Sequence, residues 1–381
     1  MQRKQHLFIP GPTPVPPAVR AAMVRPLIGH RSCEFASLQR SLVKKTKQVF
    51  QTENDLFIFT SSGTGALEAA VTNSLNPGDK VLALITGQFG QRFAAIARQC
   101  GAEVEALEFP WGKPVDVKKV TERLVQGPQP KAILLTHNET STGVVNDVAS
   151  IGALVKNTPV LLLVDAISSM GAMDIRTDDW GVDFMITGSQ KAFMLPPGLA
   201  FLSVSAKGWA QIETVRPRSF YFNLEAWQQS GAQGFSPWTP NVSLLFGLEA
   251  ALDQLLAEGL EQVWARHGRW ARAVRAGLTA MGLKLVAEDE WASNTVTAAY
   301  VQNGRADELR ATLERDFGLC LAGGKGELSD SVIRMGHMGY VDELEILGSL
   351  AVLELGLKRQ GYPVHLGAGV AQAQKLIYQE G

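Results

Sequence analysis

Short, unbroken apolar runs alternate with stretches of helical spacing through the first two thirds of the chain. DLFIFTSS (55–62) reads as a strand, followed by a helix over GALEAAVTNSL. KVLALIT (80–86) is a second strand, with a helix around QRFAAIARQCG behind it. AEVEALEF, KAILLTH and PVLLLVDA follow as strands, with helical spacing in DVASIGALVKN between the last two. VDFMITGSQK and LAFLSVS complete the series. Strands apolar at every position must be covered on both faces, and the intervening helices supply that cover. The pattern predicts an α/β fold with a mostly parallel sheet between helices.

The pattern changes near residue 260. A helix from about Leu244 to Glu258 is followed by another from near Gly259 towards Met281, with Trp264, Trp270 and Val274 on one stripe. Beyond it, LKLVAED, NTVTAAYVQ, a helix from Ala306, FGLCLAGG, SVIRMGH and a final helix over 341–358 read as a smaller α/β unit. At the other end, Pro10, Pro12, Pro14, Pro16 and Pro17 exclude a helix and remove donors from any central strand. The expected organisation is an extended arm over 1–20, docked through Leu7, Phe8, Ile9 and Val15, a large domain over 21–260 and a small one over 261–381.

Composition narrows the function classes. The 381 residues carry a formal net charge of −1, with both signs interspersed, which gives no electrostatic case for a nucleic-acid or anionic-membrane partner. No apolar run approaches the roughly 18 residues of a membrane span. Prolines interrupt the N-terminus where a signal peptide needs an apolar core, so a cytoplasmic protein is expected. Cys33, Cys100 and Cys320 are too scattered for a disulfide framework or a metal site.

Four features carry candidate chemistry. GSQK places Lys191 at the end of the strand VDFMI, where burial lowers an amine's pKa and suits it to attack a carbonyl. LLLVDA places Asp165 at the carboxyl end of another apolar strand, the edge where open α/β sheets bind ligands. A carboxylate there could hold a protonated ring nitrogen, or simply cap a helix. TSSGTGALEAA (60–70) runs from a strand through a Ser/Gly/Thr loop into a helix, which is either an anion site for a single phosphate or only a tight turn. It lacks the nucleoside-triphosphate and dinucleotide glycine patterns. Arg334, in VIRMGH, is either a bidentate clamp for a substrate carboxylate or half of a structural ion pair.

These features occur in order with IPGPTPVPP, GHRSCEF, SSGTGALEAA, THNETSTGV, LLLVDAISSMG, GSQKAFMLPPG, SPWTPNVSL and VIRMGHMG. Nearly end to end, the chain resembles the class V, fold type I aminotransferases, in the alanine–glyoxylate and serine–pyruvate branch. The resemblance implies pyridoxal 5′-phosphate as cofactor and a large domain built on a seven-stranded sheet. It implies that Lys191 carries the cofactor as a Schiff base and shuttles a proton between the substrate's Cα and the cofactor's C4′. Asp165 would bind the ring nitrogen, Phe89 and Ile167 would cover the two ring faces, and Thr140 would lie near the ring hydroxyl. Ser62, Gly63, Thr64 and Gln190 would hold the phosphate.

Thr239 would reach the phosphate of a partner subunit, so a homodimer with a shared active site is implied. Relatives with a tyrosine near there have Ser236 as its counterpart in this chain. Arg334 would bind the substrate carboxylate, with backbone near Gly11 and Gly29 narrowing the pocket. The implied reaction is ping-pong transfer from alanine or serine to glyoxylate or pyruvate.

Two rivals remain. Cysteine desulfurases share the fold and the lysine, but need a mobile cysteine and usually histidines where this chain has Gln190 and Phe89; Cys320, in GLCLAGG, alternates like a strand residue. A non-catalytic subunit of a redox complex is the other, since relatives have carried a soluble-hydrogenase subunit name; three scattered cysteines argue against it. His137 could look like a catalytic base beside Glu139, but is expected to have a structural role, holding the loop near the cofactor. His30 and His337 have no assigned role.

Overall fold

A computed structural model describes residues 4–379. The strands, in chain order, are β1 (His6–Phe8), β2 (Asp55–Thr60), β3 (Lys80–Ile85), β4 (Glu103–Glu108), β5 (Ala132–Thr136), β6 (Asn138–Glu139), β7 (Val144–Val145), β8 (Leu161–Asp165), β9 (Phe184–Gly188), β10 (Leu199–Val204), β11 (Lys284–Leu285), β12 (Val296–Tyr300), β13 (Leu319–Gly323) and β14 (Val332–Gly336). The helices are α1 (Pro17–Met23), α2 (Cys33–Phe50), α3 (Gly63–Ser74), α4 (Gln88–Gln99), α5 (Val117–Gln126), α6 (Val148–Val155), α7 (Ala206–Ile212), α8 (Leu224–Ala232), α9 (Val242–Glu258), α10 (Leu260–Ala280), α11 (Ala306–Phe317), α12 (Glu343–Arg359) and α13 (Ala368–Gln379).

Seven strands form one sheet in the order β2-β10-β9-β8-β5-β3-β4. The pairings β9–β8–β5–β3–β4 are parallel, and β10 runs antiparallel to both its neighbours. Its central strands are buried at every position, as the continuous apolar runs require. One face packs on Leu42, Phe50, Leu248 and Leu252 of α2 and α9. The other packs on Leu67, Ala70, Phe93 and Ala97 of α3 and α4. Each fully buried leucine or phenylalanine contributes about 2 kcal/mol against exposure, so this double cover is the main source of the sheet's stability.

A second sheet, in the order β1-β13-β14-β12-β11, has its own apolar core with Trp270, Leu278, Leu350 and Leu353 of α10 and α12. Gly259, with φ of 88°, breaks the run of apolar helical spacing into α9 and α10.

The N-terminal segment departs from the expected arm. It is extended only as far as Pro16, because Pro17 opens α1 as its first residue, a position where the missing N–H costs nothing. Its start adds β1 as a parallel edge strand of the smaller sheet, with His6 opposite Leu319 and Phe8 opposite Leu321. Residues from both ends of the chain therefore build that sheet. α4 begins at Gln88, three residues ahead of the helix expected over 91–101, and α2, with no counterpart in the strand pattern, spans 18 residues.

Candidate active site

β8 and β9 lie side by side and parallel, with Asp165 opposite Ile186, so both end at the carboxyl edge of the large sheet. Asp165 is the last residue of β8, and Lys191 lies three residues past the end of β9. The turn that carries Lys191 is held from both sides. Met194 N–H donates to Lys191 O at 3.0 Å and Leu195 N–H to Ser189 O at 3.2 Å. From the N-terminal segment, Thr13 N–H donates to Gln190 O at 3.2 Å and the Thr13 hydroxyl to Lys191 O at 3.0 Å. The Lys191 amine donates to the Pro10 carbonyl. Gly11 has a φ of +133°, and a Cβ there would meet the end of the Lys191 side chain at 2.8 Å, so only glycine fits.

The charges at this edge are expensive. Burial pushes the Lys191 amine down to about 8, with the Arg334 and Arg92 charges adding to the shift and Asp165 opposing it. Burial pushes the Asp165 carboxyl up to about 6, against one hydrogen bond, from Ile167 N–H at 2.9 Å. Arg334, in β14, is 5% exposed and bonds only to carbonyl oxygens, Gly323 O at 2.7 Å and Thr140 O at 3.0 Å. Burial lowers its pKa to about 10, still charged at neutral pH. It forms no ion pair among the described residues. A buried guanidinium without a carboxylate is suited to receive one.

Lys191, Arg334, Phe89, Thr140 and Gly11 line one cavity of 460 Å³ between the two sheets. Larger clefts, of 1150 and 1370 Å³, lie elsewhere and contain neither Lys191 nor Arg334; chemistry rather than size marks the site. Phe89 is in the first turn of α4 with the Arg92 guanidinium 4.9 Å from its ring. The Thr140 hydroxyl donates to Ser168 Oγ at 2.7 Å, and Ser168 donates to Asn138 O at 3.0 Å.

The anion loop meets the same edge. Ser62 caps α3, accepting from Gly65 N–H at 3.4 Å, and Thr64 is exposed in the first turn. Gly63 packs against Ile167; a Cβ there would lie 2.5 Å from its Cδ1, which joins this loop to the Asp165 turn. The side-chain oxygen of Gln190 is buried and has no partner.

Of the expected residues, Asp165, Ile167, Ser62, Gly63, Thr64 and Gln190 lie at this sheet edge but do not line the cavity, and neither do Gly29, Thr239 and Ser236. Gly29 stands in open space, Thr239 is exposed, and Ser236 is buried with its hydroxyl on Trp238 O at 2.8 Å. His137 faces the larger cleft. Its Nδ1 is 2.8 Å from Ser169 Oγ, its ring lies edge-on to Trp180, and burial lowers its pKa to about 4, so it is a neutral wedge. His337 is likewise buried, bonded to the Thr297 hydroxyl at 2.9 Å and lowered to about 3, while His30 is half-buried. Cys320 lies in β13, as its alternation suggested, while Cys33 opens α2 and Cys100 follows α4. Sequence reasoning missed Pro10, Thr13 and Glu139, whose contacts join segments distant in the chain; a glutamate inside the otherwise small and neutral THNETSTG was the available signal.

Residues 7–339 match the family model described as aminotransferase class-V. The chain is 41% identical to a protein of a Synechococcus species named soluble hydrogenase, small subunit, covering 99% of each. It is 39% identical to the serine–glyoxylate aminotransferase of Arabidopsis thaliana, over 98% of this chain and 95% of that one. Among solved structures it is similar to pyridoxamine–pyruvate aminotransferase from Mesorhizobium loti, with a TM-score of 0.94 and 30% identity over 100% of this chain and 99% of that one. No described helix is long and apolar enough to cross a membrane.

Proposed function

The chain belongs to the class V aminotransferases, and from that premise we propose that it moves the amino group of alanine or serine to glyoxylate or pyruvate in two alternating half-reactions. The enzyme is an aminotransferase with the fold type I architecture, and its cofactor is pyridoxal phosphate. The residues present fit that cofactor. A helix N-terminus at Ser62–Thr64, a sparsely bonded buried carboxylate at Asp165 and a buried amine at Lys191 converge on one sheet edge. When bound, pyridoxal phosphate supplies an aldehyde carbon for the amino group and an electron-withdrawing ring that stabilises negative charge at the substrate's Cα.

Ser62, Gly63, Thr64 and Gln190 would hold the phosphate, using free backbone N–H groups and the positive end of α3. Asp165 would accept a hydrogen bond from the ring nitrogen and favour its protonated form, and a charge partner there brings its own pKa back down. Phe89 and Ile167 would cover the ring faces, with the Thr140 hydroxyl at the ring's oxygen. Lys191 would anchor the cofactor, then, once displaced, take the proton from Cα and return it at C4′. Its lowered pKa supports this role, since an amine near 8 is partly neutral at working pH.

Arg334 carries the substrate assignment: a buried guanidinium with only carbonyl partners, in the same cavity as Lys191, would orient an α-carboxylate. Pro10 and Gly11 crowd the space above Lys191, which supports small side chains. The exposed Thr239, beside Trp238 whose ring lies 4.6 Å from that of exposed Phe220 at a 30° tilt, supports a second subunit closing over this edge and a homodimer with shared sites. Likewise, an N-terminal arm ending at Pro16, a large domain to 260 and a small domain beyond it are proposed as the organisation. The hydrogenase-named relative suggests a redox subunit, but the described residues contain no group of three or more His, Cys, Asp or Glu side chains able to hold a metal. A steady-state survey of donors and acceptors tests the reading. Alanine or serine with glyoxylate or pyruvate should give the highest kcat/KM, with parallel double-reciprocal lines. Aspartate or an aromatic donor outpacing both would contradict it.

A further inference from the structure

Glu139 has no part in the scheme above, yet it is completely buried. Its Oε2 accepts Phe89 N–H and Gly90 N–H, each at 3.0 Å. Its Oε1 accepts Ser141 N–H at 3.0 Å and the Ser141 hydroxyl at 2.5 Å. Ser141 Oγ in turn accepts Gln88 N–H at 3.1 Å. The first three amides of α4 are thus satisfied by a segment some fifty residues further along the chain. The helix has no side-chain cap of its own, because its N-cap is Gly87. A Cβ on Gly87 would lie 2.5 Å from Ser141 Oγ and 2.6 Å from Glu139 Cγ, so the cap from afar depends on that glycine.

An ordinary capping acceptor is a short, local, half-exposed side chain. Removing a glutamate from water costs several kcal/mol unless hydrogen bonds replace the lost hydration. Here four donors offset part of that cost, burial still pushing the carboxyl's pKa up, and all belong to the two segments that line the cavity. Phe89 is in the capped turn. Thr140, the next residue after Glu139, accepts from Arg334 through its carbonyl at 3.0 Å and donates through its hydroxyl to Ser168. The 139–141 loop therefore joins the cavity's aromatic face to its guanidinium, and Arg334 feels Glu139 as its main stabilising charge.

We propose that Glu139 is a positioning residue for transamination: with Ser141 it caps α4 from a distance and fixes Phe89, Thr140 and Arg334 relative to one another as a single unit. The proposal rests on the cofactor and substrate roles given above to those three residues.

Glu139→Gln and Ser141→Ala test it. In the glutamine variant an NH2 group replaces one acceptor oxygen and leaves amide donors unpaired. In the cofactor-free protein the Phe89 and Gly90 amides should exchange with deuterium at least about tenfold faster, the scale of one buried unpaired donor. The dissociation constant for pyridoxal phosphate should rise by a similar factor, and KM for amino donor and acceptor should rise more than kcat falls. Ser141→Ala should move the same quantities less, with the fastest exchange at Gln88, and it carries the test if Glu139→Gln does not fold. Faster exchange with unchanged cofactor affinity and KM would reduce Glu139 to a helix cap, and unchanged exchange would remove the cap itself. A wild-type protein that bound no pyridoxal phosphate would overturn the functional reading while leaving the exchange result intact.

Discussion

The large sheet has two ends, and each holds a buried aspartate that is 3% exposed. Asp183, where the chain enters β9, is fully answered: it accepts Leu162 N–H at 2.9 Å and the Ser205 hydroxyl at 2.7 Å, and pairs with Lys207 at 2.9 Å. Asp165, at the exit from β8, has one bond, from its own turn. Equal burial with unequal satisfaction supports a structural role for Asp183 and the proposed cofactor role for Asp165, since an unanswered buried charge costs stability. Lys191 repeats the pattern on the same edge, with one backbone carbonyl as its partner.

Substituting each aspartate should pull the two ends apart. Asp165→Asn should lower turnover about a hundredfold or more, the scale of removing a preorganised charge partner, while leaving the cofactor-free fold as stable or slightly more so. Asp183→Asn should do the reverse, destabilising the fold by about 3 kcal/mol by removing the charge partner of Lys207 and one acceptor of the buried cluster, with kcat nearly unchanged. Thermal melts and steady-state rates on the two variants check both. Equal effects on activity would erase the contrast.

A smaller effect sharpens the comparison through pH. The Lys191 amine lies at about 8 in the folded state, below its ordinary 10.5, so its charged form is penalised in the fold. That penalty is fully present below pH 8 and disappears as pH rises towards 10.5. Lys191→Met should therefore stabilise the cofactor-free protein by about 3 kcal/mol at pH 7, and the gain should shrink steadily between pH 8 and 10.5. The corresponding penalty on Asp165 runs the other way, complete above about pH 6 and lost as pH falls towards 3.8. Denaturant melts from about pH 4 to about pH 10.5 read both slopes.

Lys191 and Asp165 were legible in the sequence because each is a polar residue at the end of a strand that is otherwise apolar, and one-dimensional pattern suffices for that. The mostly parallel large sheet was legible for the same reason. Arg334 was visible as a charge among apolar residues, but its lack of a carboxylate is a three-dimensional fact. The start of α4 was not legible, because its cap sits on Glu139 and Ser141 and the local sequence Gly87-Gln88-Phe89 carries no capping signal. Nor was the origin of β1, since pairing His6 with Leu319 joins opposite ends of the chain. Thr239 and Gly29 lie outside the cavity of a single chain, so their assignment rests on the proposed homodimer.

The covalent anchor at Lys191 is the central claim. Borohydride reduces an imine between an amine and the cofactor's aldehyde to a stable secondary amine, and mass spectrometry of the digested protein then locates it. The account predicts a single pyridoxyl adduct, on the peptide containing Lys191. An adduct on a different lysine, or none after reconstitution with pyridoxal phosphate, would contradict it.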